Sequence, residues 1–242
     1  HQKNIIPVVD TAIKEVGIKK EDISAISFTQ GPGLLGSLLV GSSFAKSFAL
    51  GLNIPLIAVN HMKGHIMAHF IKNKGEENKQ PNFPFLCLTV SGGHTQIVLV
   101  KSVTEMIVIG ETLDDAAGEA FDKSAKILGL SYPGGPLIDK YAKKGDKDKF
   151  TFGRHKVGKY DFSYSGIKTS ILRFIEKEVD KNPNFIKENM EDLCASIQHT
   201  IVEILIQKIT KSSSEIGINN IAIAGGVSAN SYLRSRLVEL QE

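Results

Sequence analysis

The chain has 242 residues, of which 42% are hydrophobic and 23% charged, and its formal net charge is +3 at pH 7. These proportions are those of a soluble globular protein with one large domain or two small ones, and the weak basicity permits a nucleic-acid or phosphate partner without arguing for one. No apolar run reaches the roughly 20 residues of a membrane span, so we expect no spanning segment and no membrane partner. Two cysteines, Cys87 and Cys194, lie in apolar surroundings, which indicates buried thiols in a reducing, cytoplasmic setting.

The first third of the chain predicts alternating helices and strands. Apolar residues recur at helical spacing over residues 4–16, and "ISAISFT" (23–29) predicts a short strand. A glycine-rich turn, "QGPGLLGS", precedes an apolar helix over residues 38–50 that we expect to be buried on most sides. "IPLIAV" (54–59) predicts a buried strand. This order favours a parallel sheet with crossover helices.

A polar segment at residues 73–83 is the best linker candidate, and it predicts a division into domains 1–83 and 84–242. After it, three apolar segments joined by short turns predict an antiparallel meander. A helix is expected near residues 115–128. The buried strand "INNIAIAGG" is followed by a last helix from Ser228.

Paired or closely spaced glycines follow the ends of several predicted strands. Glycine permits close backbone approach, so that N–H groups can face an anion, and open α/β sheets bind ligands at the carboxyl ends of their strands. None of these turns fits the Walker A or dinucleotide-binding patterns. The turns contain Gly31 and Gly33, Gly92 and Gly93, Gly134 and Gly135, and Gly225 and Gly226.

The acidic stretch "GETLDDAAGEAFDKSAK" contains carboxylates with different expected roles. Asp114 and Asp115 are expected to cap the helix that begins there. Asp122 lies two turns further on, where capping does not explain it. Its carboxylate can accept hydrogen bonds from a sugar or amino group of a ligand, or it can pair with Lys126 at i+4.

The segment "HMKGH" places His61 and His65 one helical turn apart, where two imidazoles can bind one metal ion. His69 is too far along the helix to complete the site, so another ligand must come from elsewhere. A zinc peptidase needs Glu after the first histidine, and Met62 occupies that position. A metal site and a pair of unrelated surface histidines therefore both remain open.

Five blocks together resemble the tRNA N6-adenosine threonylcarbamoyltransferase family, formerly described as a glycoprotease family. They are "HMKGH", "VSGGHTQIV", "DDAAGEAFDKSAKILGL" with "YPGGP", "FSYSGIKT" and "AGGVSAN", in the family's order. The resemblance implies an α/β fold of the two-lobed actin/Hsp70/sugar-kinase class with an incomplete first lobe. The family's ligand cleft lies between its lobes.

The resemblance also assigns roles to individual residues. It implies that His61 and His65 bind one iron or zinc ion. It implies that threonylcarbamoyl-adenylate binds to a strand end and to further contacts in the second domain. These residues are Thr89, Val90, Ser91, Gly92, Gly93, Asp122, Gly135, Asp139 and Asn230.

The implied reaction transfers a threonylcarbamoyl group from its adenylate to N6 of adenosine 37 in tRNAs that read ANN codons. The implied partners are tRNA, a catalytically inactive paralogue and an ATPase. A metallopeptidase and a sugar-kinase-like phosphotransferase remain alternatives. A loop with Lys143, Lys144, Lys147, Lys149, Arg154 and Lys156 either contacts tRNA phosphates or is a solvated surface.

The family's opening "GIETSCD"-type block and its closing "CTDN"-type block, whose Asp is a third metal ligand, have no counterpart in these 242 residues. On this basis we expect the chain alone not to carry out the transfer. We also expect its second domain to retain a core of its own.

Overall fold

The computed structural model describes residues 1–72, 80–153 and 157–240. They form two compact units, His1–Ile71 and Lys72–Glu242. The predicted division between residues 83 and 84 lies inside the second unit, and most of the predicted linker lies outside the described residues. The helices are α1 (Gln2–Val16), α2 (Leu35–Leu52), α3 (His61–Met67), α4 (Ala117–Ile127), α5 (Gly134–Ala142), α6 (Ser165–Lys181), α7 (Phe185–Glu188), α8 (Met190–Ile216) and α9 (Ser231–Glu239). The strands are β1 (Ile26–Gly31), β2 (Leu56–Asn60), β3 (Phe85–Val90), β4 (Thr95–Val100), β5 (Met106–Glu111) and β6 (Ile221–Ala224).

The first unit contains a two-stranded parallel sheet, in which Ile26 pairs with Leu56 and Thr29 with Val59. Helix α2 connects the two strands, and α3 follows β2 directly. The predicted alternation of strands and helices with parallel pairing is therefore confirmed.

The predicted burial of the first unit is wrong. Leu39 and Leu50 of α2 are 55% and 83% exposed, and Ile57 of β2 is 50% exposed. A two-stranded sheet covers only part of an 18-residue helix, so apolar composition alone does not produce burial there. By length and mean hydropathy (1.3), α2 is the one helix in the described ranges that meets the composition of a membrane span, a property that core helices of soluble proteins share.

The second unit contains a four-stranded sheet of order β5-β4-β3-β6. β3, β4 and β5 form the predicted antiparallel meander, and β6 pairs parallel with β3. α4, α5, α6 and α8 bury their apolar faces in the core that packs against this sheet. β3 is fully buried along its length, as expected for a central strand that is covered by helices.

The predicted caps of α4 are wrong. α4 begins one residue after Ala116, which makes no side-chain cap hydrogen bond. Instead, the Thr95 hydroxyl on β4 accepts a hydrogen bond from the Ala117 N–H at 2.9 Å. Asp115 forms an ion pair with Lys123 at 2.7 Å. The first turn of α4 is thus satisfied from the sheet rather than from its own flanking acids.

Asp114 caps a different helix. Its carboxylate accepts hydrogen bonds from the Tyr164 N–H at 2.7 Å and from the hydroxyl groups of Ser163 and Ser165 at 2.5 and 2.8 Å. Burial alone would raise the pKa of Asp114, but these hydrogen bonds outweigh burial and lower it. Asp114 therefore anchors the start of α6, about 50 residues along the chain.

Candidate functional site

A pocket of about 280 Å³ lies in the second unit, where β3 and β6 end. Because these strands are parallel neighbours, their carboxyl ends meet at one edge of the sheet, which is where α/β sheets bind ligands. The pocket is lined by Gly92, Gly118, Phe121, Asp122, Pro133, Gly135, Pro136, Asp139, Gly226, Val227, Ala229 and Asn230.

Backbone segments beside this pocket approach each other so closely that there is no room for a side chain between them. A Cβ atom at Gly118, in the first turn of α4, would lie 2.6 Å from the Ser91 carbonyl oxygen. Gly225 has φ +91°, and a Cβ atom there would lie 2.3 Å from the Val90 carbonyl oxygen. Only glycine fits at both positions, so the turns after β3 and β6 and the start of α4 meet at this site.

Asp122 connects α4 to the beginning of α5. Its Oδ1 atom accepts hydrogen bonds from the Gly134 N–H at 2.7 Å and the Gly135 N–H at 3.4 Å. Among the described residues it forms no ion pair with Lys126, so the proposed i+4 pair is absent there. Its Oδ2 atom has no hydrogen bond within the described chain and remains available to a ligand.

Asp139 and Asn230 hold the start of α9 from two sides. Oδ1 of Asp139 accepts hydrogen bonds from the N–H and the hydroxyl group of Ser231, at 3.2 and 2.7 Å. Asn230 is the N-cap residue, and its Oδ1 accepts from the Leu233 N–H at 2.9 Å. Oδ2 of Asp139, like that of Asp122, has no hydrogen bond to another described residue.

The remaining predicted substrate residues do not line the pocket. Thr89 and Val90 are fully buried in β3. The Ser91 hydroxyl closes a tight turn with the His94 backbone at 3.0 Å. Gly93 lies in that turn, adjacent to Gly92, which does line the pocket.

Several pocket residues were missed by the sequence analysis. Phe121, Pro133, Pro136 and Val227 form an apolar wall. Phe121 and Pro133 flank residues that were singled out, Asp122 and Gly134, so their proximity in sequence was an available signal.

His61 and His65 lie on α3, whose first N–H groups are capped by the Asn60 side chain. Their Nε2 atoms are 3.1 Å apart and their ring centroids 4.5 Å apart. Two ligands that each lie about 2.0–2.1 Å from one zinc ion can be separated by this distance, so the pair fits a shared ion. One ring can equally donate a hydrogen bond to the other. No cluster of three or more His, Cys, Asp or Glu that could hold a metal occurs in the described ranges.

Burial explains the two cysteines of the second unit, and ion pairs explain two lysines of its basic loop. Burial raises the pKa of the Cys87 thiol to about 11 and that of Cys194 to about 12, so neither is a thiolate nucleophile near neutral pH. In the predicted basic loop, Lys147 pairs with Asp148 and Lys149 with Asp192. Arg154 and Lys156 lie outside the described residues.

Comparison with known proteins identifies a family. Residues 1–242 match the family model described as TsaD, tRNA N6-adenosine threonylcarbamoyltransferase. Enzymes of that name from Christiangramia forsetii and Riemerella anatipestifer are each 58% identical to the chain over 242 residues. The match covers 100% of this chain and 71% and 70% of those relatives.

A solved structure supports the fold class. The full-length HypF chain, crystallised in a phosphate- and nucleotide-bound form, resembles 97% of this chain with a TM-score of 0.61. The match covers 44% of the HypF chain, and the sequences are 16% identical, so the likeness concerns the fold alone. Together with the family match over residues 1–242, this likeness confirms the predicted actin/Hsp70/sugar-kinase fold class.

Proposed function

This chain belongs to the tRNA N6-adenosine threonylcarbamoyltransferase family, which modifies adenosine in tRNA, and on that premise we propose that the pocket of its second unit binds threonylcarbamoyl-adenylate. The supporting observation is the pair of carboxylates, Asp122 and Asp139, that line the pocket. Each uses Oδ1 to hold a helix start and has no described hydrogen bond at Oδ2. Two such acceptors suit the hydroxyl groups of a ribose.

The rest of the pocket suits the other parts of an adenylate. Its apolar wall, which includes Pro136 and Val227, can cover the faces of a purine base. Backbone N–H groups at Gly92 and Gly226 follow the ends of β3 and β6, where glycine turns bind phosphate oxygens. A volume of about 280 Å³ is near the lower end of the size range of ligand pockets.

We also propose that His61 and His65 bind one iron or zinc ion. The contact between their Nε2 atoms and the Asn60 cap of α3 support a pre-formed pair of ligands. A bound cation supplies Lewis-acid polarisation of a carbonyl group. The chain's own contribution is to keep both rings on the same side of one helical turn, with Met62 buried where a peptidase would need a general base.

The proposed acceptor is N6 of adenosine 37 in tRNAs that read ANN codons. The proposed partner proteins are a catalytically inactive paralogue and an ATPase that takes part in the same modification, and the proposed location is the cytoplasm. Product analysis separates the alternatives. Modified tRNA and AMP, formed from ATP, threonine, bicarbonate, tRNA and the partner proteins, support transfer. In parallel reactions, cleavage of an added peptide indicates a peptidase, and ADP with phosphorylation of an added sugar indicates a kinase.

The adenylate site is tested with Asp122→Asn. Asparagine retains an oxygen for the Gly134 N–H but replaces the second acceptor with an amino group. We expect the binding free energy of AMP, measured by calorimetry, to become less favourable by about 1–3 kcal/mol, as for a lost hydrogen bond to a charged group. Lys126→Ala is the matched control on the same helix, and its affinity should equal that of the wild type. Wild-type affinity in Asp122→Asn would remove Asp122 from the site.

The metal site is tested by metal analysis of the purified protein. We expect about one equivalent, lost when both His61 and His65 are replaced by Ala, because neither proposed imidazole ligand then remains. His69→Ala is the matched control, since it alters a histidine just beyond α3. Unchanged metal content in the double variant would leave the pair as a hydrogen-bonded surface feature.

A further inference from the structure

Gln198 is a polar side chain in the buried centre of α8. It is 5% exposed, and its neighbours Ile197 and Ile201 are fully buried. A glutamine amide in such a place costs free energy unless its polar atoms are paired. Its partner is known: Gln198 Oε1 accepts a hydrogen bond from Nδ2 of Asn230 at 2.8 Å.

This hydrogen bond acts on a pocket residue from outside the pocket. Asn230 lines the proposed adenylate pocket, whereas Gln198 does not. Gln198 borders a separate cavity of about 290 Å³ with Asp146, Lys147 and Tyr232. Gln198 is therefore not placed to contact the nucleotide, and any effect on binding must pass through Asn230.

The Asn230 amide is held at both ends. Its Oδ1 accepts from the Leu233 N–H at 2.9 Å, and its Nδ2 donates to Gln198. An amide oxygen accepts two hydrogen bonds and an amide nitrogen donates two, so one lone pair and one N–H remain for a ligand. With the Leu233 cap alone, Oδ1 is fixed but Nδ2, on a residue that is only 8% exposed, has no acceptor.

We infer that Gln198 is a positioning residue that sets the orientation of the Asn230 amide for nucleotide binding. This inference rests on the proposed adenylate site. It assigns Gln198 a role that an apolar residue of the same size cannot perform, because the Asn230 amino group needs an acceptor to stay paired in this orientation. Two side chains from other helices thus fix the start of α9. Asp139 of α5 accepts a hydrogen bond from Ser231, the first residue of α9, and Gln198 of α8 accepts one from its N-cap residue Asn230.

The test is a double-mutant cycle on AMP affinity in the full-length protein, measured by calorimetry. Gln198→Met keeps the length of the side chain and removes the acceptor, and we expect AMP to bind about tenfold more weakly. Gln198→Glu retains an acceptor oxygen, so the affinity of this variant for AMP should stay within about threefold of the wild-type value. In an Asn230→Ala background, Gln198→Met should have no further effect, because the group that it positions is gone.

The outcomes separate this inference from the proposed function. Unchanged AMP affinity in Asn230→Ala overturns the proposed contribution of Asn230 to the site itself. Weakened binding in Asn230→Ala with wild-type binding in Gln198→Met overturns only the role of Gln198. An equal loss from Gln198→Met with and without Asn230 also overturns it, since Gln198 would then act elsewhere. Thermal unfolding of each variant verifies folding. If Gln198→Met does not fold, Gln198→Ala takes its place.

Discussion

The two units differ in the sequence separation between residues that are joined by side-chain hydrogen bonds. In described residues 1–64, each side-chain hydrogen bond joins residues at most four positions apart, as between Asn60 and Lys63. In the second unit, Asp114 bonds to Tyr164 across 50 residues, and Asp139 bonds to Ser231 across 92. Burial follows the same division, because the second unit has a large apolar core, whereas only Ala45 and Ala49 of α2 in the first unit are buried.

This difference indicates that the two candidate sites depend on different levels of structure. The histidine pair needs only one capped helical turn, so its geometry is encoded locally. The pocket needs strand ends, helix starts and remote caps to meet, so its geometry depends on the whole second unit.

The largest expected effect compares two leucines. Leu193→Ala in α8 removes a fully buried side chain and should lower the free energy of unfolding by about 2–5 kcal/mol. Leu39→Ala in α2, at a residue that is 55% exposed, should lower it by less than about 1 kcal/mol. Urea unfolding followed separately in each unit measures both values. Equal losses would mean that the first unit is packed as tightly as the second.

The next comparison concerns the two kinds of cap. Asp114→Ala removes the cap of α6 and leaves the Ser163 hydroxyl without its carboxylate partner, so we expect a loss of about 2 kcal/mol for the second unit. Asn60→Ala removes the cap of α3 and should cost about 1 kcal/mol, confined to that helix. Hydrogen exchange resolves where protection falls. Loss of protection throughout both units in Asn60→Ala would contradict the local character of the first unit.

A smaller effect of opposite sign is expected at Tyr164. Its side chain is fully buried, and its hydroxyl has no hydrogen-bond partner among the described residues. Tyr164→Phe should therefore stabilise the second unit by about 1 kcal/mol, because an unpaired polar group is removed. Tyr232→Phe, which loses a hydrogen bond to His199 at 2.8 Å, should be destabilising by a similar amount. A destabilised Tyr164→Phe would show that the hydroxyl group has a partner in solution.

The smallest effect depends on pH. Because the folded-state pKa of Asp114 is lowered from 3.8, its contribution to stability is present above that value and is lost as the pH falls through the folded-state pKa. The stability difference between wild type and Asp114→Asn should thus be constant above about pH 5 and shrink in more acidic solution. Asp10→Asn, which alters an exposed pair with Lys14, serves as the first-unit control. A difference that stays constant down to pH 2 would contradict the assignment.

Local patterns in the sequence predicted local structure well. Helical spacing located α1, apolar segments located the meander, and the strand-end glycines located the edge of the sheet that carries the pocket. The i, i+4 spacing of His61 and His65 predicted that they share a helix face, and their Nε2 atoms lie 3.1 Å apart.

Properties that depend on a distant partner were not predicted. Asp114 precedes α4 in sequence, yet its carboxylate caps the start of α6. The fold brings the Tyr164 N–H within 2.7 Å of this carboxylate, although the two residues are 50 positions apart. Asp122 and Lys126 have ion-pair spacing, but the N–H groups at the start of α5 take the carboxylate instead. The exposure of α2 could not be predicted from its composition. Apolar residues show that a helix can be buried, but not whether another element packs against it. Gln198 was missed because it is one of four polar residues in "SIQHTI" (196–201), and nothing in that pattern marks it as the one that meets Asn230.

The main-chain contacts beside the pocket limit how the site can diverge. At Gly118 and Gly225 any larger residue collides with the backbone at Ser91 or Val90, so substitution there destroys the cavity rather than reshaping it. Evolution or directed selection for a different nucleotide therefore has more freedom at wall positions outside the buried core, such as Pro136 and Val227. A mutational library confined to that wall would sample new ligand preferences, whereas one spread over the glycines would return mostly unfolded protein.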